Sequence, residues 1–235
     1  MGFLFLSRAS HNKITVDSQS PEDFRDFLST NSWNQISQAY LSSPDSRFAL
    51  ISLVSKKGSS YLQPGARLLV CEDRRYWGEI SAGCLEEKVL AQAIVCIVSG
   101  ENQTLSIDTR PLYGCFGEIT LLIEVIHDRG TFKKMMEQVR LAAQQRLPLD
   151  IITDYRDLKT TTLTQAVTTE LIHHPMVLNQ TLIPPVQLLV LGDWPDGRAA
   201  IEIAQKLGWD TALYDASAPS FSIEDCLDKL HIDSH

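Results

Sequence analysis

The chain contains 235 residues, of which 44% are hydrophobic and 21% charged, a composition typical of one or two folded domains and unlike that of a disordered chain. The net charge of −8 is uneven, since 16 basic residues oppose 17 acidic ones up to Asp150, whereas 5 oppose 12 after it. This acidic excess argues against a nucleic-acid or anionic-membrane surface after Asp150 and leaves the near-neutral first part open to an anionic small ligand.

Apolar segments and cysteines predict a cytoplasmic location. No apolar run approaches the roughly 18 residues that span a bilayer, and the Met1–Leu6 patch is too short for a signal peptide. Five cysteines without Cys-x-x-Cys spacing favour neither a disulfide scaffold nor a zinc site. We therefore expect reduced thiols, no membrane partner and no nucleic-acid partner.

The elements predicted up to residue 155 alternate between helices and short strands. Residues 1–20 have no sustained periodicity and are predicted to form a loose tail. The predicted helices cover 22–28, 33–41 and 85–98, with another beginning near Thr131. The predicted strands cover 48–54, 66–71, 77–81, 104–108, 118–126 and 149–155. Gly100 stands where the cap of the helix over 85–98 belongs.

The last part of the chain predicts a compact β-α-β unit. Three prolines and few charges between Pro175 and Pro185 indicate a linker. A strand over 188–191, a turn over 192–197, a helix over 198–207 and a strand over 211–214 follow it. An α/β fold with two domains is therefore expected.

Two turns combine glycine with cysteine. In Ser81-Ala-Gly-Cys-Leu-Glu86, a strand is predicted to end and a helix to begin, which would place the Cys84 sulfur among unpaired N–H groups at a helix N-terminus. Such a setting favours the thiolate, which attacks electrophiles or binds a soft metal. Cys115 lies in a second turn, Tyr113-Gly-Cys-Phe-Gly117, whose glycines permit close approach of a ligand. For either cysteine, a small buried hydrophobe is the alternative.

A cluster of lysines and hydroxyls precedes these turns. Lys56, Lys57, Ser59 and Ser60 surround Gly58, and Arg67 follows Gly65. Backbone N–H groups, hydroxyls and cations of this kind can hold a phosphate. By composition alone, however, a solvated loop is the favoured interpretation.

Three motifs in order resemble the XdhC/CoxI family of xanthine dehydrogenase accessory proteins. They are Gly58-Ser-Ser-Tyr-Leu-Gln-Pro-Gly-Ala-Arg-Leu-Leu-Val70, Gly78-Glu-Ile-Ser-Ala-Gly-Cys-Leu-Glu86 and Tyr113-Gly-Cys-Phe-Gly-Glu118. The resemblance implies a protein that binds molybdenum cofactor, assists its sulfuration and inserts it into a molybdenum hydroxylase, with a cysteine desulfurase as a further partner. It also implies a cytoplasmic cofactor chaperone rather than a catalyst.

The resemblance assigns the cofactor-binding residues. Cys84 would contact molybdenum or handle sulfur, and Cys115 matches the cysteine of the second turn. The remaining residues assigned to the cofactor are Gly83, Gly114, Gly117, Lys56, Lys57, Ser59, Ser60 and Arg67. Ala82, Phe116, Leu62 and Gln63 depart from the family pattern.

The C-terminal unit resembles the family's Rossmann-like domain, shortened. The domains expected are a tail at 1–20, an XdhC/CoxI-like mixed α+β domain at 21–174, a linker at 175–185 and a truncated Rossmann-like domain at 186–235. In Gly192-Asp-Trp-Pro-Asp-Gly197, Trp194 occupies the second glycine position of the dinucleotide fingerprint and Asp193 adds negative charge, so NAD(P) is disfavoured. Asp215 stands near the ribose-acid position of that fingerprint.

Two alternatives to the chaperone function remain. One is an NAD(P)-binding oxidoreductase-related protein, and the other is a ligand-free interaction protein of the same fold. Uncovered sheet edges in the shortened unit further predict a homodimer.

Overall fold

The computed structural model of the chain describes residues 4–6, 21–43, 45–81, 83, 85–110, 117–158, 162–166 and 174–214. Within these residues it contains four helices and eleven strands, arranged in two compact units. The larger unit spans Glu22–Pro184, and the smaller one joins the strand Leu4–Leu6 to the residues from Pro185 onward.

The described residues of the larger unit form three helices and two antiparallel sheets. Its helices are α1 (Pro21–Ser42), α2 (Glu86–Ser99) and α3 (Arg129–Gln145). Its strands are β2 (Phe48–Gly58), β3 (Arg67–Cys71), β4 (Tyr76–Gly78), β5 (Gln103–Asp108), β6 (Gly117–Val125), β7 (Leu149–Asp154), β8 (Thr162–Ala166) and β9 (Val177–Leu182). The first sheet has the order β4-β3-β2-β6-β5, and the second has the order β8-β7-β9.

The five-stranded sheet is buried on both faces, which explains its long apolar runs. Alternate residues of β2, namely Ala49, Ile51 and Leu53, pack with the apolar side of α2. The intervening residues Phe48 and Leu50 pack with α1, α3 and strands of the second sheet. The sheet therefore lies between two separate apolar clusters.

The smaller unit is a β-α-β unit with one additional strand. Strands β10 (Gln187–Leu191) and β11 (Asp210–Tyr214) are parallel and joined by α4 (Pro195–Lys206). Strand β1 (Leu4–Leu6) pairs antiparallel with β10. The mixed α/β fold class is confirmed, and the β-α-β unit lies where the pattern predicted it.

Three segments differ from the sequence prediction. Residues 4–6 of the expected loose tail form a strand, because their backbone completes hydrogen bonds of β10. The two short helices expected between 22 and 41 are one helix, since no Gly or Pro interrupts that range. Val177–Leu182 of the expected 175–185 linker is a strand paired with β7, because the prolines lie beside this segment and not within it.

Among the described residues, no helix combines the length and apolarity needed to cross a bilayer.

Candidate functional site

Three connections leave the five-stranded sheet at one end. Gly58, the last residue of β2, pairs with Gly117, the first residue of β6, and Asp108 at the end of β5 pairs with Glu118. Strand β4 runs in the same direction as β2, because both are antiparallel to β3. The segments that follow β2, β4 and β5 therefore all begin toward this end, which we call the loop end. They carry the three predicted motifs.

Helix α2 begins at the loop end and finishes at the opposite end of the sheet. Its cap, Gly100, has φ 75°, and the Gly100 carbonyl oxygen accepts a 2.9 Å hydrogen bond from Nε2 of His127, which follows the far end of β6. The C-terminus of α2 is thus fixed beside the end of β6. Its N-terminus, with the Ser81–Glu86 turn, consequently points toward the loop end.

A buried pair of side chains closes the Ser81–Glu86 turn. The Ser81 hydroxyl donates to the Glu86 carboxylate at 2.5 Å and accepts from the N–H groups of Gly83 and Leu85, each at 3.2 Å. Glu86 also accepts from the N–H groups of Ser81 and Leu85, each at 3.1 Å. Ser81 is 5% exposed and Glu86 is 9% exposed. We call this pair the Ser81–Glu86 clasp.

The clasp corrects the expected environment of the first turn. The sequence predicted unpaired N–H groups around Cys84, but those of its neighbours Gly83 and Leu85 are occupied by Ser81 and Glu86. Ala82 and Cys84 themselves lie outside the described residues. Gly83 is exposed, with φ 96° and open space around its Cα.

A β-bulge decides which of the two lysines of β2 faces α2. The pairing with β6 shifts between Leu53 and Ser55, so that Val54 is an extra residue. Lys56 consequently pairs with Ile119, which packs on the α2 face, and Lys57 pairs with Glu118 on the other face. Only Lys56 therefore shares a face with the Ser81–Glu86 turn.

Charges on the face away from α2 neutralise one another. The Lys57 ammonium lies 3.9 Å from the Glu118 carboxylate, and the Arg110 guanidinium lies 2.6 Å from Asp108. Hydrogen bonds from the Arg110 side chain and backbone lower the pKa of Asp108 to about 2. Lys56 forms no ion pair within the part of the chain that the structure describes, so it is the lysine better suited to an anionic ligand.

Gly117 brings the β2–β3 loop against the start of β6. A Cβ atom at residue 117 would lie 2.7 Å from the Lys57 carbonyl oxygen and closer still to that of Ser59. Thr109 holds Gly117 from the other side by two hydrogen bonds to its carbonyl oxygen, 2.9 Å from N and 2.8 Å from Oγ1. Gly117 is therefore adjacent to Lys57 and Ser59, as a phosphate-binding loop formed by these residues would require. Ser60 follows Ser59 in the same loop.

Arg67 does not reach the loop-end surface. Its side chain is fully buried, donates from Nη2 to Thr153 Oγ1 at 2.9 Å and lies over the Trp33 ring, 5.6 Å from its centroid. Burial lowers the pKa of the guanidinium to about 10, and the nearby Glu124 carboxylate opposes that shift. Expecting it to bind phosphate was wrong, because it lies on the face covered by α1 and the second sheet.

The second glycine–cysteine turn lies mostly beyond the described residues, including Gly114 and Cys115, as do Cys226 and Asp215. The described Cys71 and Cys96 are buried in the core. No group of three or more His, Cys, Asp or Glu side chains suited to a metal ion occurs in the described portion.

Sequence reasoning missed two features of the loop end. The Ser81–Glu86 clasp was not foreseen because the two residues are five apart, whereas a capping box uses a spacing of three. Tyr61, on the β2–β3 loop, is 63% exposed and offers an aromatic face beside Ser59 and Ser60. Tyr61 could have been identified from the sequence, because it is an aromatic residue within a Gly-Ser-rich loop.

In the smaller unit, the glycine turn before α4 is occupied by side chains. Trp194 is the N-cap of α4 and is 64% exposed. Arg198 forms two hydrogen bonds with Asp193, which lower the pKa of that carboxyl. A Cβ at Gly192 would lie 2.8 Å from the Trp194 ring, and one at Gly197 would lie 2.8 Å from Val190. Gly197 thus serves close packing of helix on strand, while Trp194 and Asp193 stand where a pyrophosphate would approach.

The chain is similar to proteins of known family and structure. Residues 42–108 match the family model described as the XdhC and CoxI family, a span that includes the first two motifs. The chain is 24% identical over 183 residues to the molybdenum cofactor insertion chaperone PaoD of Escherichia coli (strain K12), covering 74% of this chain and 55% of that protein. The chain therefore spans about half the length of this curated relative.

The fold is similar to that of a solved structure. It superposes on the crystal structure of a xanthine dehydrogenase from Bacillus halodurans with a TM-score of 0.64 and 18% sequence identity. The similarity covers 77% of this chain and 62% of the other chain.

Proposed function

We propose that the chain is an accessory protein that inserts molybdenum cofactor into a molybdenum enzyme, because residues 42–108 match the XdhC and CoxI family model, as the motifs predicted. The observation that carries the proposal is the presence of the two matched motifs at one end of one sheet, where Lys56, Ser59 and the Ser81–Glu86 turn lie. The relationship to a molybdenum cofactor insertion chaperone supports it. Molybdenum cofactor is then cargo and not a resident cofactor.

The chemistry of the loop end suits such a cargo. Lys56 and the hydroxyls of Ser59 and Ser60 supply a cation and hydrogen-bond donors for the phosphate. Gly83 and Gly114 permit close approach of the backbone to the cargo, and Cys84 and Cys115 supply soft sulfur ligands for molybdenum. Gly117 contributes by holding the β2–β3 loop against β6. Lys57 contributes less to phosphate binding because its ammonium is paired with Glu118, and Arg67 contributes nothing because its side chain is buried.

The finer parts of the proposal concern partners and sulfur. We expect the recipient to be a hydroxylase of the xanthine dehydrogenase type. We also expect the cofactor to be sulfurated while it is bound, with a cysteine desulfurase as sulfur donor and Cys84 within reach of the reacting sulfur. The protein acts as a chaperone in this scheme, and the homodimer remains a proposal.

Pterin fluorescence after acid oxidation tests the binding step. The full chain, incubated with isolated molybdenum cofactor and passed through a desalting column, is expected to retain the pterin signal. Cys84→Ala should reduce that signal several-fold, because the sulfur ligand is lost, whereas Cys96→Ala should not, because Cys96 lies in the core. Absence of the signal from the unmodified chain would contradict cofactor binding, and equal signals from Cys84→Ala and the unmodified chain would contradict the role of Cys84.

Transfer is tested with an apo-hydroxylase. The loaded chain should restore hydroxylase activity faster than free cofactor does. A chain that binds the apo-hydroxylase but no pterin would instead be a ligand-free interaction protein.

The β-α-β unit is the reason to test the alternative function, that of an NAD(P)-binding oxidoreductase-related protein. A fluorescence titration with NADH is expected to show no saturable change, since Trp194 and the Asp193–Arg198 pair stand at the start of α4. Saturable binding would favour the oxidoreductase-related alternative.

A further inference from the structure

The solvent-facing side of α2 carries an apolar stripe. Val95 is 57% exposed and Val98 is 70% exposed, and Lys88 and Ala91 are exposed on the same side. The opposite side of the helix packs into the core. The intervals within the stripe are three, four and three residues, which is the a/d spacing by which one helix packs against another. We call these four residues the α2 stripe.

The two ends of the stripe carry opposite charges. Lys88 lies in the first turn of α2, and Glu101 follows the Gly100 cap at the other end. Both residues are exposed, and neither side chain forms an ion pair within the described residues. A lysine in the first turn faces the positive end of its own helix dipole, and the last turn contains no basic residue. The first turn also contains Glu86, which is buried in the clasp, and Glu87, so Lys88 is the charged residue of the stripe itself.

We propose that the α2 stripe is the docking surface for a second copy of this chain, with the two α2 helices antiparallel. A twofold axis midway between residues 94 and 95 places Lys88 of one copy beside Glu101 of the other. It also places Ala91 opposite Val98, which pairs a small side chain with a larger one, and the two Val95 side chains near the axis. Each Lys88 then faces the negative end of the other helix dipole.

Self-complementarity selects a second copy over another partner. A twofold interface uses the same surface patch on both molecules, and the α2 stripe together with Glu101 provides both members of each ion pair. A parallel arrangement would instead bring Lys88 against Lys88. The 14-residue helix is about 21 Å long, and stable interfaces bury about 800 Å² per partner. Because one helix face is smaller than that, we expect association that depends strongly on concentration.

Sedimentation velocity of the full chain without cofactor tests the proposal, and it does so independently of the proposed function. The unmodified chain is expected to shift from monomer to dimer as its concentration rises. Val95→Glu should raise the dimer dissociation constant at least about tenfold, because it places two like charges near the axis. Leu141→Glu, at an apolar residue of α3 that is 43% exposed, is the matched control and should leave the constant unchanged. Thermal melts establish that each variant is folded.

Charge reversal tests the antiparallel arrangement. Lys88→Glu and Glu101→Lys should each raise the dissociation constant about threefold, and the double reversal should restore it. A chain that stays monomeric throughout, or a dimer insensitive to Val95→Glu, overturns the proposal, as does a double reversal that fails to restore association. If the unmodified chain is a monomer and Val95→Glu abolishes its binding to the hydroxylase, the α2 stripe is a docking surface for that enzyme instead.

Discussion

Gly117→Ala tests whether close approach of the β2–β3 loop holds the loop end together. Real Cβ contacts essentially never fall below 3.0 Å, yet a Cβ at residue 117 would lie 2.7 Å from Lys57 O and closer to Ser59 O. Both obstacles are backbone atoms, so β2 and β6 must separate locally. The Gly58–Gly117 pairing and the two hydrogen bonds from Thr109 are weakened as a result.

The expected loss follows from those bonds. Each contributes about 1 kcal/mol net, so Gly117→Ala should lower the free energy of unfolding by about 2–3 kcal/mol. For a protein of this size, that corresponds to a fall of about 4–12 °C in Tm. Circular dichroism melts and denaturant titrations measure both quantities.

A matched glycine provides the control. Gly130 lies in the first turn of α3, and a Cβ there would be 3.4 Å from Asp128 Oδ1. Since alanine is favoured over glycine in helices by up to about 1 kcal/mol, Gly130→Ala should be as stable as the unmodified chain or more so. If Gly117→Ala melts at the same temperature as Gly130→Ala, the reasoning about close approach is refuted.

Three further predictions concern single side chains. Ser81→Ala should cost about 1–2 kcal/mol and speed hydrogen exchange at the start of α2, because the hydroxyl caps N–H groups there. Carboxyl NMR should show Asp108 titrating near 2, and Arg110→Gln should return it toward 3.8. Its stabilising contribution is then present above about pH 3.8 and lost as the pH falls toward 2. Arg67→Ala should cost about 3–5 kcal/mol in a denaturant titration, because it removes the buried cation near Glu124.

Each of these has its own control. Ser99→Ala, at the exposed end of α2, should leave hydrogen exchange at the first turn unchanged, and equal exchange in Ser81→Ala would contradict the capping role. An Asp108 midpoint that does not respond to Arg110→Gln would show that the pair does not set it. Arg140→Ala, on the surface of α3, should be nearly neutral, and a similar result for Arg67→Ala would contradict its role in the core.

Local patterns predicted the parts of the fold that depend on neighbouring residues. The apolar runs predicted β2 and β3, and helical spacing followed by Gly100 predicted α2 and its C-terminal cap. Long-range pairing decided the rest. Leu4–Leu6 is a strand only because β10 lies beside it, and Val177–Leu182 only because β7 does.

The candidate site was predictable in position but not in orientation. The motifs located the loops that meet at the loop end, yet no spacing indicated which side chains share a face. Arg67 follows a glycine in a loop motif, as an anion ligand would, but its strand position turns it toward Thr153 and the core. The occupied N–H groups around the first turn likewise depend on how Glu86 folds back, which a residue pattern does not encode.

The extra residue in β2 lets one strand follow two different alternations. Up to Leu53, odd-numbered residues face α2, and beyond Val54 the even-numbered Lys56 does so. Apolar substitutions between Ala49 and Leu53 therefore do not change which lysine faces the first turn. If Val54 instead paired regularly with Thr120, each later residue would move one position along β6, and Lys57 rather than Lys56 would share the α2 face. The bulge at Val54 thus decides which lysine faces the first turn, while the apolar alternation from Ala49 to Leu53 is the same with or without it.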